Sequence, residues 1–199
     1  MTGAIRFLHH LDQDVTLAIN GLHTPFTDAM WVLFSDRKVW IVLYLALALL
    51  LFVRLGWKKS LVVLAAVGLT VLACDQCANL FKYSVARLRP MWDSYMIEGG
   101  LRRLEGRSGW YGFFSAHAAN AFGVAMCLWQ SFRAGDGKRS YKAMGWLLFC
   151  WAALVSLSRV FVGKHYLGDV LVGVSVGLLI GYVFGRIVKW VFNKYSLSL

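Results

Sequence analysis

The sequence predicts an all-α fold: a polytopic membrane helix bundle of about five transmembrane helices, or six, with an N-terminal interfacial helix. Three observations predict it. The 199-residue chain is 59% hydrophobic, above the ~45–50% apolar content of soluble domains, and its mean hydropathy is +0.59. Five runs, 39–53, 60–74, 113–132, 143–158 and 170–185, contain no Asp, Glu, Lys or Arg. Near the N-terminus, Leu8, Leu11, Val15, Ala18 and Leu22 recur at helical spacing among polar Asp12, Asp14 and Asn20, the pattern of a helix lying in a membrane interface.

The elements follow in order. The chain reads as a single domain, 1–199, with the interfacial helix in 1–30 and the bundle in 31–199. Asn20-Gly21 ends the first helix and Thr24-Pro25 caps the start of the next; a short sixth span within 12–35 is the alternative. Some of the five runs are shorter than the ~20 residues that cross hydrocarbon, but Lys38, Arg54, Lys142 and Arg186 extend them by snorkelling. In the last run Gly173, Gly177, Gly181 and Gly185 recur every four residues. Such a smooth face lets membrane helices approach closely.

The formal charge of +11 arises from 21 Lys+Arg against 10 Asp+Glu. With five spans, Arg54, Lys58 and Lys59 share one side with Arg133, Lys138, Arg139 and Lys142, and with Arg186, Lys189 and Lys194. Short basic loops face the cytoplasm, so 82–113 and 159–169 face the periplasm or exterior of an inner (cytoplasmic) membrane. The charge is not gathered into a soluble basic surface, which argues against nucleic acid as a partner. Cys74 and Cys77 form a C-x-x-C without a second Cys/His pair at ligand spacing. They read, like Cys127 and Cys150, as small residues packed between helices.

Three polar clusters fall on the outer side: Lys82, Arg87, Arg89 and Pro90; Ser115, His117 and Asn120; and Arg159, Lys164, His165 and Asp169. Lys supplies a point charge and Arg a planar fork that grips two phosphate oxygens. Ser115 and the backbone N–H groups after it open a helix, which favours an anion. One cation alone reads as a snorkelling interface residue; their convergence describes a phosphate cradle. A neutral imidazole can attack phosphorus and a protonated one can protonate the leaving oxygen. Asp169 follows His165 by four residues, on the same helical face, which marks His165 as the nucleophile and His117 as the acid. His9, His10 and His23 have no comparable setting and read as interfacial.

The motifs K-x6-RP at Lys82–Pro90, S-x-H at Ser115–His117 and SR-x5-H-x3-D at Ser158–Asp169 together resemble the type 2 phosphatidic acid phosphatase (PAP2) superfamily. The resemblance runs from the second span to the start of the last. The second motif departs from the family's usual P-S-G-H: this chain has Phe114-Ser115-Ala116-His117, and the methyl of Ala116 crowds the approach to phosphate. The resemblance implies that Lys82, Arg89, Ser115, Ala116 and Arg159 bind the phosphoryl group, that His165, His117 and Asp169 are catalytic, and that no metal or other cofactor is needed. Its substrates would be membrane lipid phosphates. Compact relatives point first to undecaprenyl diphosphate, with lipid A, phosphatidylglycerophosphate or phosphatidate as alternatives.

Two residues in the second span, Asp75 and Asn79, read either as a supporting shell for Lys82 or as a helix-packing hydrogen bond. The connection 91–113 carries Trp92, Tyr95, Glu98, Arg102, Arg103, Glu105, Arg107 and Trp110, suited to a headgroup interface and to substrate choice; its middle reads equally as a solvated connector. Two other functional classes remain at this point. His117 and His165 could ligate haem, which leaves the cations without a role, or the polar residues could line a transport path.

Overall fold

Gly56 folds the longest helix back on itself. In the computed structural model, which describes residues 3–106, 108–137 and 139–195, helix α3 (Ile41–Val85) is broken there at φ 72°, ψ 168°. A Cβ disfavours that region, so glycine permits the reversal. Its two arms run side by side, with Tyr44 and Leu51 of one lining the same cavity as Leu64 and Val71 of the other. Arg107, singled out in the 91–113 connection, and Lys138, singled out in a basic loop, lie outside the described residues.

Each of the five apolar runs forms a helix, the third only from Ala116 onward: the two arms of α3, then α5 (Ala116–Gly135), α6 (Lys142–Phe161) and α7 (Leu167–Lys194). By length and hydropathy the segments Arg37–Val85, Lys142–Phe161 and Leu167–Lys194 qualify as candidate membrane spans. The more polar α5 is the central helix, packed on α7, α3 and α6, and most of its buried residues are small or apolar. The glycine stripe acts as the spacing predicted. A Cβ at Gly173 would lie 2.5 Å from the Ser115 carbonyl oxygen, and Cβ atoms at Gly177 and Gly181 would collide with the carbonyls of Ala119 and Gly123. The α5 and α7 backbones therefore touch. An apolar cluster that includes Leu51, Leu55, Val63, Phe132, Leu148 and Phe192 forms the core between α3, α5, α6 and α7.

The N-terminal region corrects the division at residue 30. It forms two helices, α1 (Gly3–Asn20) and α2 (Pro25–Ser35), so residue 30 falls inside the second. Thr24 caps α2 as predicted, its hydroxyl accepting from the Thr27 amide at 3.1 Å. The apolar stripe of α1 faces outward: Leu8 and Leu11 are 62% and 48% exposed, whereas Gln13, Thr16 and Asn20 are buried. This helix docks by its polar face and leaves its apolar face to its surroundings.

The connection from α3 to α5 folds over the same end. Ala86 ends α3 in a left-handed conformation, Leu88 pairs with Tyr111, and the short helix α4 (Ser94–Glu98) follows. Trp92 stacks on Trp110 with centroids 4.4 Å apart.

Candidate active site

The turn between α6 and α7 builds the centre. α6 stops at Phe161, and Gly163, at φ 75°, turns the chain back. A Cβ there would lie 2.5 Å from the Arg102 carbonyl oxygen, so a bare backbone is needed under the 101–113 loop. The amides of Lys164 and His165 return to donate to the Arg159 carbonyl at 3.0 and 3.1 Å. Asp169 then caps the start of α7 by accepting from the Tyr166 amide at 3.3 Å, and its own carbonyl accepts from the Ser115 amide at 3.0 Å. The second and third sequence motifs thus meet at one end of the bundle, and Arg89 of the first joins them there.

His165 is 3% exposed. Its Nδ1 lies 3.4 Å from Asp169 Oδ2, and its Nε2 lies 3.2 Å from Arg89 Nη1. A guanidinium has no acceptor, so Nε2 accepts from Arg89 and the ring proton sits on Nδ1, facing Asp169. Burial pushes the imidazole down to about 4 despite the opposing pull of Asp169, leaving it neutral near pH 7. This tautomer is the one a nitrogen nucleophile needs.

The cations surround that nitrogen unevenly. Arg89 is held by the Tyr111 carbonyl at 3.0 Å and the Lys164 carbonyl at 3.3 Å. Arg159 is 5% exposed; it donates to Ser35 Oγ and lies 3.7 Å from Glu105, while its buried Nε has no partner among the described residues. The ring of His117 opens α5 within the electrostatic reach of Arg159, His165, Arg37 and Arg89. Ser115 is fully buried, with its hydroxyl accepting from the Ala118 amide at 3.4 Å as the helix cap. Ala116 follows it and lines a cavity within the bundle. Lys82 stands apart: its Nζ lies 5.1 Å from the Tyr83 ring centre, facing Gly109, and among the described residues no hydrogen bond joins it to the other site groups.

Four readings need correction or completion. His9 is not merely interfacial, since its Nδ1 lies 3.2 Å from Arg87 Nη2. Asn79 is exposed on the outside of α3 and belongs to no inner shell, because α3 turns that side away from α5. Asp75 instead accepts from Asn120 Nδ2 at 2.8 Å, joining α3 to α5 one turn below His117. The 101–113 loop is no free connector: Glu105 accepts from Ser35 and lies 3.8 Å from Lys164, and Lys164 donates to the Gly106 carbonyl.

The sequence placed Arg87 among the cradle cations and Glu105 in the 91–113 connection, but gave neither their partners here nor any site role for Asp12 and Ser35. The available signals were weak: an R-x-R-P around Arg87 and a Asp12, Thr16, Asn20 stripe at four-residue spacing. Beside the site, a cavity of about 410 Å³ runs into the bundle, walled by Tyr44, Leu47, Leu51, Val67 and Trp151, with His117, Asp75 and Asn120 at its polar part.

Against known proteins, a sequence profile described as the PAP2 superfamily matches residues 59–193. The chain is 35% identical over 185 residues, 90% of its length and 78% of the other's, to a lipid A 4'-phosphatase of Bacteroides thetaiotaomicron. A lipid A 4'-phosphatase of Porphyromonas gingivalis is 28% identical over 96% of this chain and 78% of its own. The undecaprenyl-diphosphatase BcrC of Bacillus subtilis is 24% identical over 88% and 83% respectively. Among solved structures, a transmembrane PAP2-type phosphatidylglycerolphosphate phosphatase from Bacillus subtilis superposes with a TM-score of 0.68 at 20% identity, over 98% of this chain and 89% of that one.

Proposed function

This chain belongs to the PAP2 superfamily and is a multi-pass membrane lipid phosphatase; we propose that it hydrolyses a phosphate monoester on a lipid A-type substrate through a phosphohistidine. The observation that carries the chemistry is the His165 imidazole, with Nε2 directed at Arg89 and Nδ1 at Asp169. The substrate class rests on the 35% identity to a lipid A 4'-phosphatase, and reverses the order of preference drawn from the resemblance to compact PAP2 relatives, which is family-level analogy. Undecaprenyl diphosphate is the second reading, favoured by the weaker similarity to BcrC.

In this reading Nε2 of His165 attacks phosphorus in line with the leaving oxygen, and the P–O bond breaks as the P–N bond forms. Arg89 shifts from the imidazole to the phosphoryl oxygens, with Arg159 opposite. Their donors stabilise charge as it develops. His117 gives its proton to the leaving alkoxide, then takes one from the water that hydrolyses the phosphohistidine. Asp169 balances the positive charge on His165. Lys82 reaches the phosphate by swinging from the Gly109 side. The apolar cavity beside His117 suits an acyl chain attached near the phosphate. A haem reading has no support in this geometry, since both His165 nitrogens are engaged.

The active-site end is proposed to face the periplasm or exterior, since Arg54, Lys59 and Arg133 gather towards the other end. Phosphate release by purified protein from lipid A, undecaprenyl diphosphate, phosphatidylglycerophosphate and phosphatidate tests the assignment. Preference for lipid A by kcat/KM is the expected result; preference for undecaprenyl diphosphate replaces it with the second reading.

A further inference from the structure

Arg87 joins two carboxylates that lie far apart in sequence. Its Nη1 donates to Asp169 Oδ1 and its Nη2 to Asp12 Oδ2, each at 2.7 Å. Its guanidinium carbon lies 3.8 Å from the centre of the Tyr166 ring. The second oxygen of Asp12 accepts from the Gly168 amide at 2.8 Å, one residue before Asp169. Asp12 thus fixes both the guanidinium and the backbone that carries the carboxylate behind His165.

The rest of the polar face of α1 grips the same turn. Thr16 Oγ1 accepts from the Leu167 amide at 2.9 Å. Asn20 Nδ2 donates to the Val160 and Phe161 carbonyls at 3.1 and 2.9 Å, where α6 ends. Asp12, Thr16 and Asn20 therefore hold three successive parts of the α6–α7 turn.

We infer that Asp12 is a positioning residue for the nucleophile, acting through Arg87 and Asp169 on His165. Asp169 is fully buried and uses Oδ2 towards His165 and Oδ1 towards Arg87. The direction of Oδ2 is set by where Arg87 holds Oδ1, and Asp12 sets where Arg87 lies. α1 is a polar clamp on the catalytic turn, while its apolar face remains outside.

This inference rests on the phosphohistidine reading, and its test separates the two. Turnover of a soluble aryl phosphate by the full chain in detergent is measured for Asp12→Asn, Asp169→Asn and the double variant, with His165→Ala as control. Asn keeps an acceptor for the Gly168 amide but loses the charge facing Arg87. Asp12→Asn should lower kcat by about 10²-fold, the cost of a ~1 Å misplacement, with little change in KM because Arg89 and Arg159 are untouched. The double variant should be no slower than Asp169→Asn alone, since the two act in series. Asp12→Glu should restore most of the rate. Losses that multiply, or a change in KM alone, overturn the role of Asp12. Activity that survives His165→Ala overturns the phosphohistidine reading itself. If Asp12→Asn does not fold, Arg87→Lys carries the same cycle, because a lysine cannot grip two carboxylates at once.

Discussion

Arg89 Nη1 lies 3.2 Å from His165 Nε2, so the proposed phosphate-binding cation and the proposed nucleophile share one hydrogen bond before substrate arrives. The guanidinium can only donate. It therefore fixes the imidazole lone pair on Nε2 and marks where a phosphoryl oxygen would take its place.

The two histidines should separate by leaving group. His165→Ala should abolish turnover and any phosphoenzyme on every substrate. His117→Ala should cost an alkyl lipid phosphate ~10²–10⁴-fold, the usual range for general acid catalysis, and an aryl phosphate far less, because a phenolate leaves without a proton. Steady-state rates on both substrates, with trapping of the acid-labile intermediate, provide the check; equal losses for His117→Ala would remove its acid role.

Glu105 competes for the cradle. Its carboxylate stands 3.7 Å from Arg159 and 3.8 Å from Lys164 while 26% exposed. Removing its charge in Glu105→Gln frees both cations for an anion. Product inhibition by inorganic phosphate should tighten by about 2–5-fold, matching a partly screened pair worth up to ~1 kcal/mol. Weaker inhibition would mean that Glu105 orders the cations instead of competing with the anion.

The buried imidazole should give the fold an acid-side dependence. His165 has its pKa lowered to about 4 by burial, below the ordinary 6.5. The folded state then binds fewer protons than the unfolded state between these values. The stabilisation is present above pH 6.5 and is lost as pH falls through about 4, with a ceiling of about 3 kcal/mol. Thermal midpoints in detergent should fall over that window more steeply for the native chain than for His165→Asn; parallel curves would assign the acid sensitivity elsewhere.

Close contact between α5 and α7 sets the distance between the two histidines. Gly177→Ala should destabilise the protein by about 1–3 kcal/mol, as overpacking does, since the new methyl meets the Ala119 carbonyl. Turnover should fall as well, because α5 carries His117 and α7 carries Asp169. A lowered melting point with full activity would show that the site tolerates a shift between these helices.

Much of the site was legible locally. The His165–Asp169 pair was legible from its spacing, although His165 sits in the turn before α7 and the cap made by Asp169, not a shared helical face, brings the two together. The serine before Ala116 marked the start of α5, and the glycine repeat identified the face of α7 that meets α5. These are relations within a few residues of the chain, and for the glycine repeat the helical period alone dictates them. The wider assembly was not legible. Asp12 and Arg87 are 75 residues apart, and Ser35 and Arg159 are 124 apart; nothing in local periodicity specifies which helix ends converge.

The sequence by itself determined that the chain is an all-helical membrane protein, that Arg89, Arg159, His117 and His165 belong to motifs at one side, and which carboxylate pairs with His165. Tertiary structure alone decided which face of α1 is buried, how Arg87 divides its donors between Asp12 and Asp169, and that Glu105 rather than Lys82 stands beside Arg159. The physical reason is that hydrophobic patterning reports which surface avoids water, and in a membrane protein that surface can face outward. The polar stripe Asp12, Thr16, Asn20 therefore turns inward, where the unpaired amides and carbonyls of the α6–α7 turn require partners.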